Sequence, residues 1–248
     1  MSERPGSDQP GPTVVGNPTS PAEVRTMFDR IAPIYDAMNT VMTAGLDARW
    51  RRAATRAAAL APGMTAVDVA CGSGALTREL AAAVGAGGTV VGIDLSSAML
   101  RRAASRPVSP GAARPEYRLA DALDLPLADG KADAATIAFG LRNVPDYRRT
   151  LAEMARVVRP GGRVVVLEIT TPSRGIGRWV AATWFRRIVP ILGRLAGGGT
   201  AYRYLPESVR RYPSPSSVAL LMREVGLVDV RWRAMAPGLV TLHVGRRG

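Results

Sequence analysis

Ala66-Val-Asp-Val-Ala-Cys-Gly-Ser-Gly-Ala-Leu-Thr-Arg-Glu-Leu-Ala-Ala-Ala-Val84, with Thr89-Val-Val-Gly-Ile-Asp94 after a Gly87-Gly88 break, decides the fold of this chain. Ala66–Ala70 is a short β-branched run, the mark of a buried strand. Gly72 and Gly74 allow a sharp turn and close approach to a ligand. Residues 74–84 carry a helix, whose first N–H groups face whatever lies over the turn. Thr89–Asp94 is a second strand with an acid at its end, twenty positions beyond Gly74. An acid there can accept hydrogen bonds from both hydroxyls of a ribose.

A Gly-x-Gly alone is consistent with a plain tight turn. The flanking strands and Asp94 turn it into a nucleoside-binding unit. A nicotinamide dinucleotide would call for G-x-G-x-x-G, and the third glycine position is Thr77. S-adenosyl-L-methionine, which has no pyrophosphate, fits better, and an NAD-binding dehydrogenase is the alternative from another class. The cofactor-binding residues are expected to be Asp68, Gly72, Ser73, Gly74, Asp94, Asp121 and Ala122. Asp121 and Ala122 follow the third strand, where an acid and an N–H can read an adenine. Asp68 either reaches the methionine ammonium or ties down the turn.

Outward from this unit the alternation continues. Strands are expected over 116–120, 132–139 and 163–168, with helices over 97–105 and 147–158 and a Pro160-Gly-Gly turn between the last helix and strand. Short apolar strands separated by helices imply parallel βαβ units with helices on both faces. Residues 227–232 and 240–244, joined around Pro237-Gly238, suit an antiparallel hairpin at the sheet edge. On the N-terminal side, Ser20 caps a helix starting at Pro21, and a second helix covers about 47–60. Residues 1–20 read as a disordered Pro/Gly/Ser-rich tail. The remainder, 21–248, reads as one domain with an N-terminal helical cap (21–61) and a helical insertion or lid (172–215).

The 248 residues are 47% hydrophobic and carry a formal charge of +13. Nearly all the positive charge is Arg and spread along the chain, so it does not mark a nucleic-acid interface. No apolar run reaches the roughly 18 residues of a membrane span. No signal-peptide pattern is present, and a cytoplasmic location is the default. One cysteine, Cys71, and one histidine, His243, argue against a disulfide, a zinc site or a Ser-His-Asp triad.

Several motifs outside the core unit resemble one family. Met27-Phe-Asp-Arg-Ile-Ala-Pro-Ile-Tyr-Asp-Ala-Met-Asn39, with Gly45 and Trp50, is similar to the N-terminal signature of the menaquinone/ubiquinone biosynthesis methyltransferases. Thr136-Ile-Ala-Phe-Gly-Leu-Arg-Asn143, the stretch from Glu153 through Glu168, Tyr202-Arg-Tyr-Leu-Pro-Glu-Ser208 and Leu242-His-Val-Gly245 resemble its later motifs in order. Thr43 and Asp47 stand where that signature usually has Ser and His, and Thr170 where a Ser is common.

The resemblance implies a Rossmann-like class I S-adenosylmethionine-dependent methyltransferase fold, α/β, with a mostly parallel sheet. The implied reaction joins a methyl group to a ring carbon of demethylmenaquinol, a prenylated naphthoquinol. A polyprenyl benzoquinol or another small aromatic is the alternative. The reaction needs aligned reactants and a place for a proton, with no metal. Arg142 and Asn143, after the fourth strand, are expected to stabilise a quinolate oxygen and orient a hydroxyl. Tyr35 is expected to line the quinol site or help the proton transfer. Trp179, Trp184 and Ile188, with flanking arginines, suit an interfacial helix or lid at the inner face of a membrane. Packing on the core or in a homodimer interface is the alternative.

Overall fold

The computed structural model describes residues 16–170, 201–235 and 239–248. Helices α1 (Pro21–Ile31), α2 (Tyr35–Met42) and α3 (Leu46–Ala58) precede strand β1 (Thr65–Val69). Then follow α4 (Ala75–Val84), β2 (Thr89–Asp94), α5 (Ser97–Ala104), β3 (Glu116–Leu119) and β4 (Ala132–Ala138). A 3₁₀ turn (Leu141–Asn143) leads to α6 (Tyr147–Val157) and β5 (Val158–Ile169). The chain ends with α7 (Ala201–Arg211), α8 (Pro215–Glu224), β6 (Leu227–Met235) and β7 (Val240–Arg247).

The seven strands form one sheet in the order β3-β2-β1-β4-β5-β7-β6. β1 to β5 pair in parallel, and β7 runs antiparallel between β5 and β6. This differs from the all-parallel order of the dinucleotide-binding fold. The expected hairpin is present, with β6 as the edge strand. Sheet alternation sorts the core into two faces. Val67, Val69, Ile137 and Val166 pack with α6 and α8, while Ala66, Ala134, Val165 and Leu167 pack with α3 and α4.

Two boundaries differ from expectation. The expected tail 1–20 is too long, because Asn17 is buried and donates its backbone N–H to the Val144 carbonyl at 2.9 Å. Ser20 then closes a capping box with Glu23 at the start of α1. Pro160-Gly161-Gly162, read as a turn before the strand, lies inside β5 as an irregularity opposite Ala132 and Ala134. A bulge absorbs the extra residues while the parallel pairing continues on either side. α2 and α8 were not legible in the sequence. The proposed insertion falls mostly outside the described residues, including Trp179, Trp184 and Ile188. Its described part is α7 and the approach to α8.

Candidate active site

The carboxyl ends of β1, β2 and β4 meet under the N-terminal helices, where a doubly wound sheet places its ligands. The β1 turn is shaped by left-handed backbone at Ala70, Gly72 and Gly74 (φ +51°, +55° and +72°). Gly74 starts α4, and a Cβ there would fall 2.6 Å from the Tyr117 hydroxyl and 3.0 Å from the Ala103 Cβ. Gly74 therefore serves close packing under the turn. It does not line the clefts described below, although it was expected to contact the cofactor. On β4, Phe139 is also left-handed (φ +58°). Both non-glycine residues line the site, and such strain costs roughly 1–2 kcal/mol each.

Asp94, at the end of β2, accepts the Gly72 N–H and the Ser96 N–H, both at 2.8 Å. Burial raises its pKa, and these two N–H bonds oppose the rise. Asp94 lines one cleft with Ile93, Leu95, Met99, Asp121, Ala122 and Asn143. Asp121 accepts the Leu123 N–H through Oδ1 at 2.9 Å, so the turn holds its carboxylate in place. Apolar walls with two acids suit an adenosine.

A second, polar cleft joins the first at Tyr35, Ala70, Gly72 and Phe139. Asp47, Arg51, Asp68, Ser73, Arg78 and Arg106 line it. Asp68 lies beside Thr136 in the β1–β4 register. Its two oxygens accept the Thr136 hydroxyl at 2.8 Å and the Thr77 hydroxyl at 2.7 Å. Burial pushes Asp68 up to about 6, and the two hydroxyls oppose that shift. The carboxylate is tied down, as one of its two expected roles requires, and it also faces the cleft. Thr43 and Asp47 stand 3.0 Å apart (Oγ1 to Oδ1), and Asp47 pairs with Arg51. A cleft with cations and acids together suits a zwitterion. Joined, the two clefts fit S-adenosylmethionine, whose adenosine and amino-acid ends have these characters.

A third cavity is lined by Met27, Phe28, Ile31, Met38, Met42 and Ile169, with Tyr35, Arg142 and Tyr204 as its main polar groups beside Asn39, Thr43, Asp47 and Arg51. Arg142 is 7% exposed and Glu168, on β5, is 0% exposed. Arg142 donates from Nη1 to Glu168 Oε1 and to the Phe139 carbonyl, both at 2.5 Å, and its backbone N–H reaches Glu168 Oε2 at 3.1 Å. Burial alone would lower the Arg142 pKa, but the Glu168 carboxylate and the nearby tyrosines outweigh it, and the net direction is upward. Among the described residues its Nε has no hydrogen-bond partner. Tyr35 lines all three spaces, and burial raises its pKa. It stays protonated near neutrality, so its hydroxyl can donate a hydrogen bond there. Asn143 lines the adenosine side and is bonded to Tyr204.

His243 lines none of these spaces. It is fully buried on β7, lies 2.9 Å from the Pro215 carbonyl through Nε2, and burial lowers its pKa to about 4.

The cap supplies residues that the sequence did not single out. Asp29, from α1, accepts the Ser96 hydroxyl at 2.5 Å. Asp36, from α2, accepts the Ser73 hydroxyl and pairs with Arg102 and Arg106 of the α5 region. Both acids lie in the Met27–Asn39 signature, but nothing local shows that they reach residues 37 to 70 positions away. Glu168, Asn17 and Tyr204 were likewise missed as site residues.

The comparisons with known proteins agree with this geometry. The model of the ubiE/COQ5 methyltransferase family matches residues 17–247. A demethylmenaquinone methyltransferase of Desulfitobacterium hafniense is 41% identical over 91% of this chain and 90% of its own. A ubiquinone/menaquinone biosynthesis C-methyltransferase UbiE of Geobacter sulfurreducens is 37% identical over 91% and 88%. Among solved structures, a SAM dependent methyltransferase from Aquifex aeolicus superposes with a TM-score of 0.53 at 18% identity, over 75% of this chain and 83% of its own. The match of the family model over residues 17–247 and these identities over most of both chains show that the chain belongs to the ubiE/COQ5 methyltransferase family.

Proposed function

We propose that the protein methylates a ring carbon of demethylmenaquinol, giving menaquinol, with S-adenosylmethionine as donor. The observation that carries this is the Arg142 guanidinium. It is buried and charged in the wall of a largely apolar cavity that meets the cofactor clefts at Tyr35, and among the described residues its Nε has no hydrogen-bond partner. An unpaired buried donor is costly unless a ligand oxygen completes it. A hydroquinol ring has such an oxygen, and the methionine- and isoleucine-lined walls suit its apolar body and prenyl tail.

S-adenosylmethionine supplies an electrophilic sulfonium methyl. The protein supplies alignment and charge. Arg142 stabilises the oxygen that gains negative charge as the hydroquinol loses its proton. Asn143 and protonated Tyr35 add donors. Neither Arg142 nor Tyr35 is a base at neutral pH, since both have raised pKa values. They make the quinol proton more acidic and leave it to solvent or a carboxylate.

The domain reading that goes with this function is a single methyltransferase domain whose helical cap, α1 to α3, covers the donor. We also propose that the prenylated substrate is met at the inner face of a membrane. The described helices include none long and apolar enough to cross one, and the contact in this reading is peripheral. The arginine-rich segment after residue 172 would provide it.

Incubation with labelled S-adenosylmethionine and short-chain demethylmenaquinol tests the substrate, with a demethylated benzoquinol in parallel. Labelled menaquinol is expected. Label in the benzoquinol alone rejects the naphthoquinol assignment.

A further inference from the structure

Asn17 and Tyr204, far apart in the chain, converge on Asn143. Tyr204 of α7 donates its hydroxyl to Asn143 Oδ1 at 3.0 Å. Asn17 donates from Nδ2 to the Tyr204 hydroxyl and to the Asn143 carbonyl at 3.3 Å. Asn143 Nδ2 in turn donates to the Phe139 carbonyl at 3.3 Å.

Backbone groups set the polarity of this chain at both ends. The Thr19 N–H, a donor only, reaches Asn17 Oδ1 at 3.1 Å. Asn17 must therefore turn its NH2 toward Tyr204. The Tyr204 oxygen then accepts, and its single proton goes to Asn143 Oδ1. The Phe139 carbonyl, an acceptor only, takes one Asn143 N–H. Among the described residues the second N–H meets no acceptor, and it is left for a ligand. An asparagine amide has no intrinsic preference between its two ends, so this orientation comes from the network.

The placement matters. Asn143 lines the adenosine-side cleft, and Tyr204 lines the apolar cavity. Their hydrogen bond spans the wall between the two. We propose that Tyr204, held by Asn17, is a positioning residue for methyl transfer. It fixes the Asn143 amide so that an N–H, rather than a carbonyl oxygen, is offered to an oxygen of the bound reactants. This rests on the reading that Asn143 faces those reactants. It assigns a task to the Tyr202–Ser208 motif, to which the sequence attached none.

Tyr204→Phe removes one proton and keeps the ring. It is expected to lower kcat about tenfold, the scale of one hydrogen bond lost in the transition state. S-adenosylhomocysteine affinity and the KM for S-adenosylmethionine should stay within about twofold. In an Asn143→Ala background the same change should cost nothing further, because the residue it positions is gone. Full activity in Tyr204→Phe, or losses that multiply in the double variant, would overturn the proposal.

A second readout does not need turnover. In asparagine-¹⁵N-labelled protein, the Asn143 side-chain amide signal, assigned by its absence in Asn143→Ala, should shift or broaden in Tyr204→Phe. An unmoved signal rejects the proposal. If the wild type does not methylate demethylmenaquinol, the substrate assignment falls, and the amide signal still decides the role of Tyr204.

Discussion

The Asp94 carboxylate accepts the Gly72 backbone N–H at 2.8 Å, tying the end of the second strand to the turn after the first. The acid is half-buried where its charge is unfavourable and is held by two N–H groups aimed at it. A ribose placed against it adds further donors to this half-buried carboxylate. Asp94→Ala is expected to weaken S-adenosylhomocysteine binding by one to two orders of magnitude, on the order of 1.5–3 kcal/mol for a charged hydrogen-bond site. Calorimetric titration measures it, and unchanged affinity would remove Asp94 from the site.

Asp68 should make binding depend on pH. Its folded pKa of about 6 lies above the ordinary value of 3.8. The folded protein therefore holds the proton more tightly than the unfolded chain, and this group's contribution to stability falls as pH rises through 6. Cofactor affinity runs the other way, because only the ionised carboxylate attracts an ammonium. Titrations from pH 5 to 8 should show S-adenosylhomocysteine binding strengthening through about pH 6. Asp68→Asn should flatten that rise. A flat wild-type profile would place the ammonium elsewhere.

Glu168 is predicted to be indispensable to Arg142. Removing one partner of a buried ion pair leaves the other charge unpaired, at a cost of roughly 3–5 kcal/mol. Glu168→Ala should therefore lower the melting temperature sharply. Arg142→Lys keeps a charge but cannot reproduce the Nη1 bonds to Glu168 and the Phe139 carbonyl or supply an Nε. Its kcat should drop by about 100-fold while S-adenosylhomocysteine affinity persists. Near-normal kcat would show that Arg142 is only structural.

His243 should govern acid stability. Its folded pKa of about 4 lies below the ordinary 6.5. The unfolded chain takes up the proton first, so stability is full above pH 6.5 and is lost as pH falls toward 4. The shift corresponds to about 3 kcal/mol for this buried group. Thermal melts from pH 7 to 4 on wild type and His243→Gln would separate this effect from that of the carboxylates. An identical pH dependence in the variant would refute it. Activity should survive the substitution, since His243 lines none of the three spaces.

Residues 66–94 were enough by themselves to predict a parallel sheet, a nucleoside-binding turn and an acid for the ribose. Strand periodicity, glycine positions and a fixed spacing are local properties, so they can be read from local sequence. The order β3-β2-β1-β4-β5-β7-β6 placed Asp94, Asp121 and Asn143 around one cleft, in keeping with their positions at strand ends. Other features depended on contacts between distant segments. Gly74 was singled out as a ligand contact, and Tyr117 and Ala103 fill the space where a Cβ would stand, a packing role that local sequence does not show. Asp29 and Asp36 were not singled out, and they bond to Ser96 and Ser73, in the turns after the second and first strands. Arg142 needed Glu168, 26 residues away, to be held as a buried cation. Asn143 needed Asn17 and Tyr204 to settle which end of its amide faces the site. A side chain's burial and hydrogen-bond partners are set by segments far away in the chain. Only the tertiary structure could therefore show which of the residues singled out in the sequence line a cleft, which pack and which hold another side chain in place.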